Sequence, residues 1–204
     1  MLEYKPWRTI QPEISWTGDF FYIKQGDLTL TDHSYNGHDL IFGTPNGIIT
    51  GRSIEEYIHF RVIQPDFLSV NCDHAVCMIG CGLDELTYEL SRITRKTITV
   101  IDPANYERMV FLLDFALHQN PVPSTKKQAR QFIERASAIL NSPSIKHYPL
   151  RLQDAFNRYR SQLVGKFDTV VDIMGPLSSS PNIQGANIAH LEKLLLKPEL
   201  RRQW

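Results

Sequence analysis

The chain has 204 residues with 22 basic and 22 acidic side chains, 42% hydrophobic and 22% charged, enough apolar material for an ordinary globular core. This balance excludes a disordered, collagenous or coiled-coil chain, and a formal charge of zero gives no global field for nucleic acid, acidic polymers or a membrane surface. The longest apolar runs, such as Ala75 to Gly80 and Val110 to Leu113, are far too short to span a bilayer, and Met1 to Ile10 has no apolar signal-peptide core, which predicts a cytoplasmic protein without membrane contact. The three cysteines include Cys77 and Cys81 in or beside a strand-like run, and they read as reduced thiols rather than a disulfide framework.

In chain order, short β-like stretches come first: Phe20 to Lys24, Asp27 to Thr31, Asp39 to Phe42 and Gly47 to Thr50. They are separated by turn residues at Gln25-Gly26, Asn36-Gly37 and Asn46-Gly47. They predict one or two hairpins. Ser53 then reads as an N-cap with Glu56 three residues later, and Ile54, Tyr57, Ile58, Arg61 and Val62 continue at helical spacing until Pro65. Together these form an N-terminal extension over residues 1–70, and the pattern changes near Asn71 to His74.

Residues 71–204 alternate strands and helices. Ala75 to Ile79 is a continuous apolar run of the kind a strand buried on both faces needs. Leu83, Leu86, Leu90 and Ile93 mark one helix face, Thr97 to Ile101 is β-branched, and Ala104 to His118 is helical in composition. Ser124 or Thr125 is expected to cap a further helix with an inner face of Ala129, Phe132, Ile133, Ala136, Ile139 and Leu140. A strand at Ile145 to Leu150 contains Pro149, which cannot donate to a ladder, so this strand belongs at a sheet edge. Ala155 to Leu163, Phe167 to Met174 and Gln184 to Leu196 complete the series as helix, strand and helix. Right-handed crossovers make this an α/β fold: a Rossmann-like parallel sheet with helices on both faces, preceded by the hairpin-rich extension.

In such a sheet a ligand lies at the carboxyl ends of the central strands. Gly80-Cys81-Gly82 follows the first of these strands. Gly80 and Gly82 let the backbone approach a ligand, and Asp102, at the end of the second strand, can accept both hydroxyls of a ribose. A dinucleotide would place its pyrophosphate at the following helix N-terminus, where Asp84 and Glu85 stand. At about 6 Å and an effective dielectric of about 20, each like-charge pair costs about 3 kcal/mol, so NAD and FAD are disfavoured. No P-loop run exists. S-adenosylmethionine has no phosphate and carries a sulfonium cation, so these acids do not oppose it. They also complement the helix dipole, whatever binds.

On these residues the chain resembles class I S-adenosylmethionine-dependent methyltransferases. The likeness lies in Val76-Cys77-Met78-Ile79-Gly80-Cys81-Gly82, in Val100-Ile101-Asp102, and in Phe167-Asp168-Thr169-Val170-Val171-Asp172. It implies that Gly80, Cys81 and Gly82 line the methionine moiety, Asp102 the ribose, Asp154 with Ala155 the adenine edge, and Asp172 the floor beneath the sulfonium. Asp154 and Asp172 also read as an ordinary helix cap and a strand-end acid. Family members often carry an acid where Met78 stands and a third glycine where Asp84 stands. The loop Gly175 to Pro181 lacks the Asn-Pro-Pro-Tyr pattern of many base and amide N-methylating members, leaving the methyl acceptor and any general base unassigned. The family's last three strands have no counterpart before Trp204, so an N-terminal strand, a second subunit or a partner chain is expected to cover the fourth-strand edge.

Two other readings stand beside methyl transfer. The order of hairpins, short helix and glycine loop is similar to aminopropyltransferases such as spermidine synthase, although Gly175 to Asn182 has no acids for a polyamine. The chain can also be a non-catalytic relic or interaction module that keeps the fold. Arg52 and Tyr57 are placed to reach a cofactor carboxylate. The seven histidines form no His-Glu-x-x-His, no metal is expected, and the short basic clusters Lys126-Lys127 and Arg158 to Arg160 give nucleic-acid binding little support. Trp7, Trp16 and Trp204 are expected to close the core.

Overall fold

A strand with one face toward a core buries every second residue, and the segment from Phe20 onward does so. The computed structural model describes residues 6–33, 39–45, 47–172 and 182–201. The turn at Asn36-Gly37, Asn46, the strand end at Ile173 and Met174, the loop Gly175 to Pro181, and Trp204 lie outside these residues. The chain divides into two compact units, Met1–Gly51 with Asn105–Ser137, and Arg52–Ala104 with Ala138–Trp204.

The first unit contains an antiparallel sheet whose strands lie in chain order: β1 (Glu13–Thr17), β2 (Phe20–Gln25), β3 (Leu28–His33), β4 (Asp39–Thr44) and β5 (Gly47–Ile49). One row of the register runs Ile14, Ile23, Leu30, Phe42, Ile49, and Phe21, Ile23, Leu28, Leu30, Leu40 and Phe42 are buried. Gly18 and Gly26, with φ of +61° and +60°, open the two-residue turns on either side of β2, the backbone a type II′ turn requires at its first central position. Strand β1 has no counterpart among the sequence expectations; its polar-flanked Ile14, half-buried, and Trp16, exposed, give too short an alternation. Trp16 is 45% exposed and stands edge-on to Phe21 rather than closing a core.

Two polar residues of these strands, Gln25 and Asp32, are buried; Gln25 is fully engaged, whereas Asp32 Oδ1 has no hydrogen-bond partner among the described residues. Gln25 donates from Nε2 to the carbonyls of Trp7 and Ile10 at 3.0 and 2.9 Å and accepts from Arg108 Nε at 3.1 Å. Asp32 accepts from the Thr125 hydroxyl at 2.8 Å. Arg108 belongs to α4 (Tyr106–His118), which Asn105 caps, and Thr125 to α5 (Pro123–Asn141). The cap expected at Ser124 or Thr125 is therefore corrected: α5 already begins at Pro123, where a missing N–H costs nothing, and the Thr125 hydroxyl is committed to Asp32. Ala129, Phe132, Ala136 and Ile139 are buried as their spacing predicts, whereas Leu140 is exposed.

The second unit opens with α1 (Ile54–His59), held by the Ser53–Glu56 capping box in full: Ser53 Oγ accepts from Glu56 N, and the Glu56 carboxylate accepts from Ser53 N at 2.7 Å. The helix is shorter than its spacing suggests. It stops at Phe60, and Arg61 adopts a φ of +58° before Pro65 is reached. A brief α2 (Phe67–Asn71), also unforeseen, leads into the sheet. Ser53→Ala is expected to cost about 1 kcal/mol in denaturant unfolding, with an unchanged m-value, because it strips one reciprocal cap without altering buried area.

The sheet consists of β6 (Val76–Ile79), β7 (Ile98–Ile101), β8 (Ile145–Tyr148) and β9 (Thr169–Asp172), all parallel in the order β8-β7-β6-β9. Every residue of β6 and β7 is buried, as continuous apolar runs require. Cys77, Ile79, Ile101 and Tyr148 pack with Leu152, Ala155, Phe156 and Leu163 of α6 (Leu152–Leu163) and with Leu191 and Leu195 of α7 (Asn182–Leu195). The crossover between β6 and β7 is α3 (Glu85–Ile93), with Leu86 and Leu90 buried. Strand β8 lies at the edge, as expected, but it ends at Tyr148, so Pro149 falls just beyond the ladder and is not what sets the edge. On the other side of the sheet Leu196 makes a single parallel bridge to Phe167, backed by Lys197 N donating to Phe167 O at 2.9 Å. The fold is thus the expected one: a Rossmann-like parallel sheet flanked by helices, with an antiparallel N-terminal sheet. Among the described residues no helix is long and apolar enough to cross a membrane.

Candidate functional site

The carboxyl ends of four neighbouring strands carry the residues singled out in the sequence. From one edge to the other these are the segment after β8 with Asp154 and Ala155, Asp102 after β7, the glycine loop after β6, and Asp172 ending β9. The chain leaves β6 toward β7 and later returns to its other side as β9, so the glycine loop sits at the topological switch point.

Both glycines have left-handed backbone, with φ of +61° at Gly80 and +56° at Gly82, conformations that cost other residues about 1–2 kcal/mol. Gly80 N continues the ladder to Ile101 O at 3.0 Å, and Asp84 N closes a turn on Cys81 O. Asp102 then locks the loop. Its Oδ2 accepts from Gly82 N at 2.9 Å and its Oδ1 from Ala104 N at 2.8 Å, while the residue is 4% exposed. Its own carbonyl accepts from His147 Nε2 at 3.0 Å. A carbonyl can only accept, so this bond assigns the proton to Nε2; burial pulls the His147 pKa down, outweighing that bond, and keeps the ring neutral. His147 sits on the expected strand β8, opposite Val100, and there takes a role that no sequence motif marked.

The N-terminus of α3 is closed by protein groups. Asp84 is its N-cap, accepting from Thr87 N at 2.7 Å, so the helix-dipole role foreseen for this acid is realised. Glu85 N donates to Arg52 O at 2.9 Å, and Glu85 Oε2 accepts in return from Ile54 N at 3.0 Å, clamping the start of α1 onto the start of α3. Two of the amides that a pyrophosphate would use are thereby taken, by a carbonyl and a carboxylate. Tyr57 of α1 is buried, and burial first, then the neighbouring Asp84 charge, pushes its phenol above the usual range. The buried Nε of Arg52 has no hydrogen-bond partner, and its guanidinium lies 6.0 Å from the Phe60 ring centre.

At the β8 side, Asp154 is exposed in the first turn of α6. It lines an open depression of 370 Å³ with Leu150, Asn157 and Arg158. Ala155 faces the other way: it is fully buried in the core, and its N–H donates to Arg151 O within the helix. At the β9 side, Asp172 pairs in register with Ile79, and its carboxylate neighbours Glu192 of α7. Burial first, then the neighbouring Asp172 carboxylate, pushes the Glu192 carboxyl up to about 9. Glu192 went unremarked in the sequence, although a signal was there: it lies four residues after Ile188 and three before Leu195, an acid on the apolar stripe.

The structure therefore brings Gly80, Cys81, Gly82 and Asp102 into one hydrogen-bonded group and sets Asp172 one strand away. Among the described residues no hydrogen bond joins Asp154 or Ala155 to that group. Cys72, Cys77 and Cys81 form no disulfide, the last two are buried, and burial raises the Cys77 pKa. Among the described residues no group of three or more His, Cys, Asp or Glu is placed to hold a metal ion. No family model matches the chain, and no curated protein matches it. Among solved structures, the chain is similar to spermidine synthase from Thermotoga maritima, with 13% identity and a TM-score of 0.46 over 91% of this chain and 53% of that one. The chain thus spans about half the length of that protein.

Proposed function

We propose that this protein binds S-adenosylmethionine across the carboxyl ends of β7, β6 and β9 and transfers its methyl group to an acceptor. The observation that carries the reading is the Asp102 carboxylate, anchored to Gly82 N at the switch point with both loop glycines in left-handed backbone. Each Asp102 oxygen holds one backbone N–H and keeps a second lone-pair direction for a ribose hydroxyl. Gly80, Cys81 and Gly82 would take the methionine portion and Asp172 the sulfonium side. Asp154, with Ala155 behind it, would take the adenine edge, through the Asp154 carboxylate alone because the Ala155 N–H is already used.

The fit favours this ligand over a dinucleotide. The amides at the start of α3 face protein acceptors, and a phosphate there would meet Asp84 and Glu85. When bound, S-adenosylmethionine supplies a methyl group on an activated sulfonium leaving group. The chain's own task is then to orient and to exclude water, with preorganised groups such as the Asp102 lock fixing the ligand before the acceptor arrives. Arg52, with a buried Nε lacking a partner, is suited to the α-carboxylate of the methionine portion. That feature favours S-adenosylmethionine over its decarboxylated form and so methyl transfer over aminopropyl transfer.

The test is titration calorimetry with four ligands. S-adenosylmethionine and S-adenosylhomocysteine are expected to bind with micromolar affinity, decarboxylated S-adenosylmethionine at least tenfold more weakly, and NAD not at all. No heat from the first two at millimolar concentration would leave the fold without this function and favour the non-catalytic reading.

A further inference from the structure

Strand β1 is the outer strand of the N-terminal sheet: one edge pairs with β2, and among the described residues nothing pairs with the other. The two-residue turn at Gly18 and Asp19 closes on Thr17 and Phe20, so that pair is hydrogen-bonded, and the alternation of an antiparallel ladder turns the backbone of Ser15 and Glu13 toward β2 as well. The backbone N–H and C=O of Ile14 and Trp16 therefore point away from the sheet. Pro12, which has no N–H, ends this row on one side, and the Gly18 turn ends it on the other. Glu13, Ser15, Trp16 and Thr17 are exposed, and Trp16 is open to solvent although it lies on the same face as the buried Phe21 opposite it. An edge with free backbone groups and an uncovered indole is a template for another strand, and Glu13 is its single charge.

We propose that β1 is a self-association edge, pairing antiparallel with β1 of a second copy about a two-fold axis at Ser15. The strand's own residues select a second copy and this axis. With the axis at Ser15, Ile14 of each copy lies opposite Trp16 of the other as a hydrogen-bonded pair, so every outward N–H and C=O of these residues finds a partner. The apolar side chains then share one face, where each indole covers the other copy's isoleucine, and Glu13 meets Thr17. The two Glu13 carboxylates stand about 14 Å apart, beyond the Debye length of about 8 Å. An axis at Trp16 would instead set Glu13 against Asp19, a like-charge pair, and an axis at Ile14 would set Pro12 against Trp16 and lose a donor on each side. The formal charge of zero leaves no net repulsion between copies. A five-residue edge is smaller than the interfaces of about 1,200–2,000 Å² that hold stable complexes, so the dimer is a weak one that forms at high protein concentration. Nothing in this pairing depends on a nucleoside, so a chain that binds none still dimerises.

Register-specific cross-linking tests it. On the axis, the two Ser15 residues form a non-hydrogen-bonded pair with Cα atoms about 4.5 Å apart, within the reach of a disulfide, whereas the two Thr17 residues lie about 14 Å apart. Both side chains are exposed, so neither substitution removes a buried contact. Under a mild oxidant at near-millimolar protein, Ser15→Cys is expected to form a covalent dimer, reversed by dithiothreitol, at least tenfold faster than Thr17→Cys; the wild type, with its three cysteines, gives the background. In analytical ultracentrifugation the mass of the wild type is expected to rise toward twice that of the monomer between low-micromolar and near-millimolar concentration. Trp16→Pro removes an outward N–H and the indole while sparing the ladder to β2, and is expected to stay monomeric. Should Trp16→Pro fail to fold, the cysteine pair and the wild-type mass decide. A wild type that keeps the monomer mass throughout overturns the proposal. Ser15→Cys cross-linking no faster than Thr17→Cys also overturns it, even where the chain dimerises through another face.

Discussion

Asp102→Ala is expected to lose about 3–5 kcal/mol of stability and to abolish nucleoside binding. The carboxylate holds two backbone donors, Gly82 N and Ala104 N, in a site that is 4% exposed. Hydrogen bonds to a charged group are worth about 1.5–3 kcal/mol each, and removing the acceptor leaves both donors desolvated. In a chain of this length that corresponds to a melting temperature lower by about 10 °C in calorimetry. Asp102→Asn separates structure from function. It keeps one acceptor oxygen, so it should retain more of the stability while still binding at least tenfold more weakly, because the amide nitrogen cannot accept a ribose hydroxyl. A stable Asp102→Asn that binds S-adenosylhomocysteine like the wild type would remove the ribose from this residue.

The second large effect is on the pH dependence of stability, and it involves no ligand. Glu192 has an ordinary carboxyl value of 4.5 when unfolded and about 9 when folded, raised by burial and by Asp172. A raised folded value means the folded state holds the proton more tightly, so its contribution is fully present below about pH 4.5 and is lost as pH rises through about 9. Glu192→Gln keeps the shape and a donor toward Asp172 but cannot ionise. The variant's unfolding free energy, measured in urea, should gain on the wild type by up to about 1.4 kcal/mol per pH unit across that window, with no change in the difference below pH 4. A difference that is flat from pH 5 to pH 9 would place no buried proton on this pair.

What could be read locally was read well, for a physical reason. The Ser53–Glu56 box, the glycine turn after β6 and the buried runs of β6 and β7 follow from chemistry within a few residues or from one strand's needs, while the expected edge position of β8 holds although Pro149, on which it was argued, lies past the strand. The helix started at Pro123 rather than at Ser124 or Thr125 because a proline suits the first helical turn and because Asp32, far off in sequence, claims the Thr125 hydroxyl.

The sequence by itself determined the parallel sheet, its glycine turn and the acid that follows the second strand, because apolar runs, glycine backbone freedom and strand-end chemistry are properties of short segments. Only the tertiary structure decided that α4 and most of α5 cluster with the N-terminal strands, through contacts such as Arg108 with Gln25 and Thr125 with Asp32. It alone decided that Arg52 and Glu85 clamp two helix starts together, that Ala155 turns into the core while Asp154 turns out, and that Glu192 meets Asp172. Each of these depends on which buried polar groups meet across the fold. A buried donor or acceptor must find a partner wherever the packing supplies one, and spacing along the chain does not say where that is.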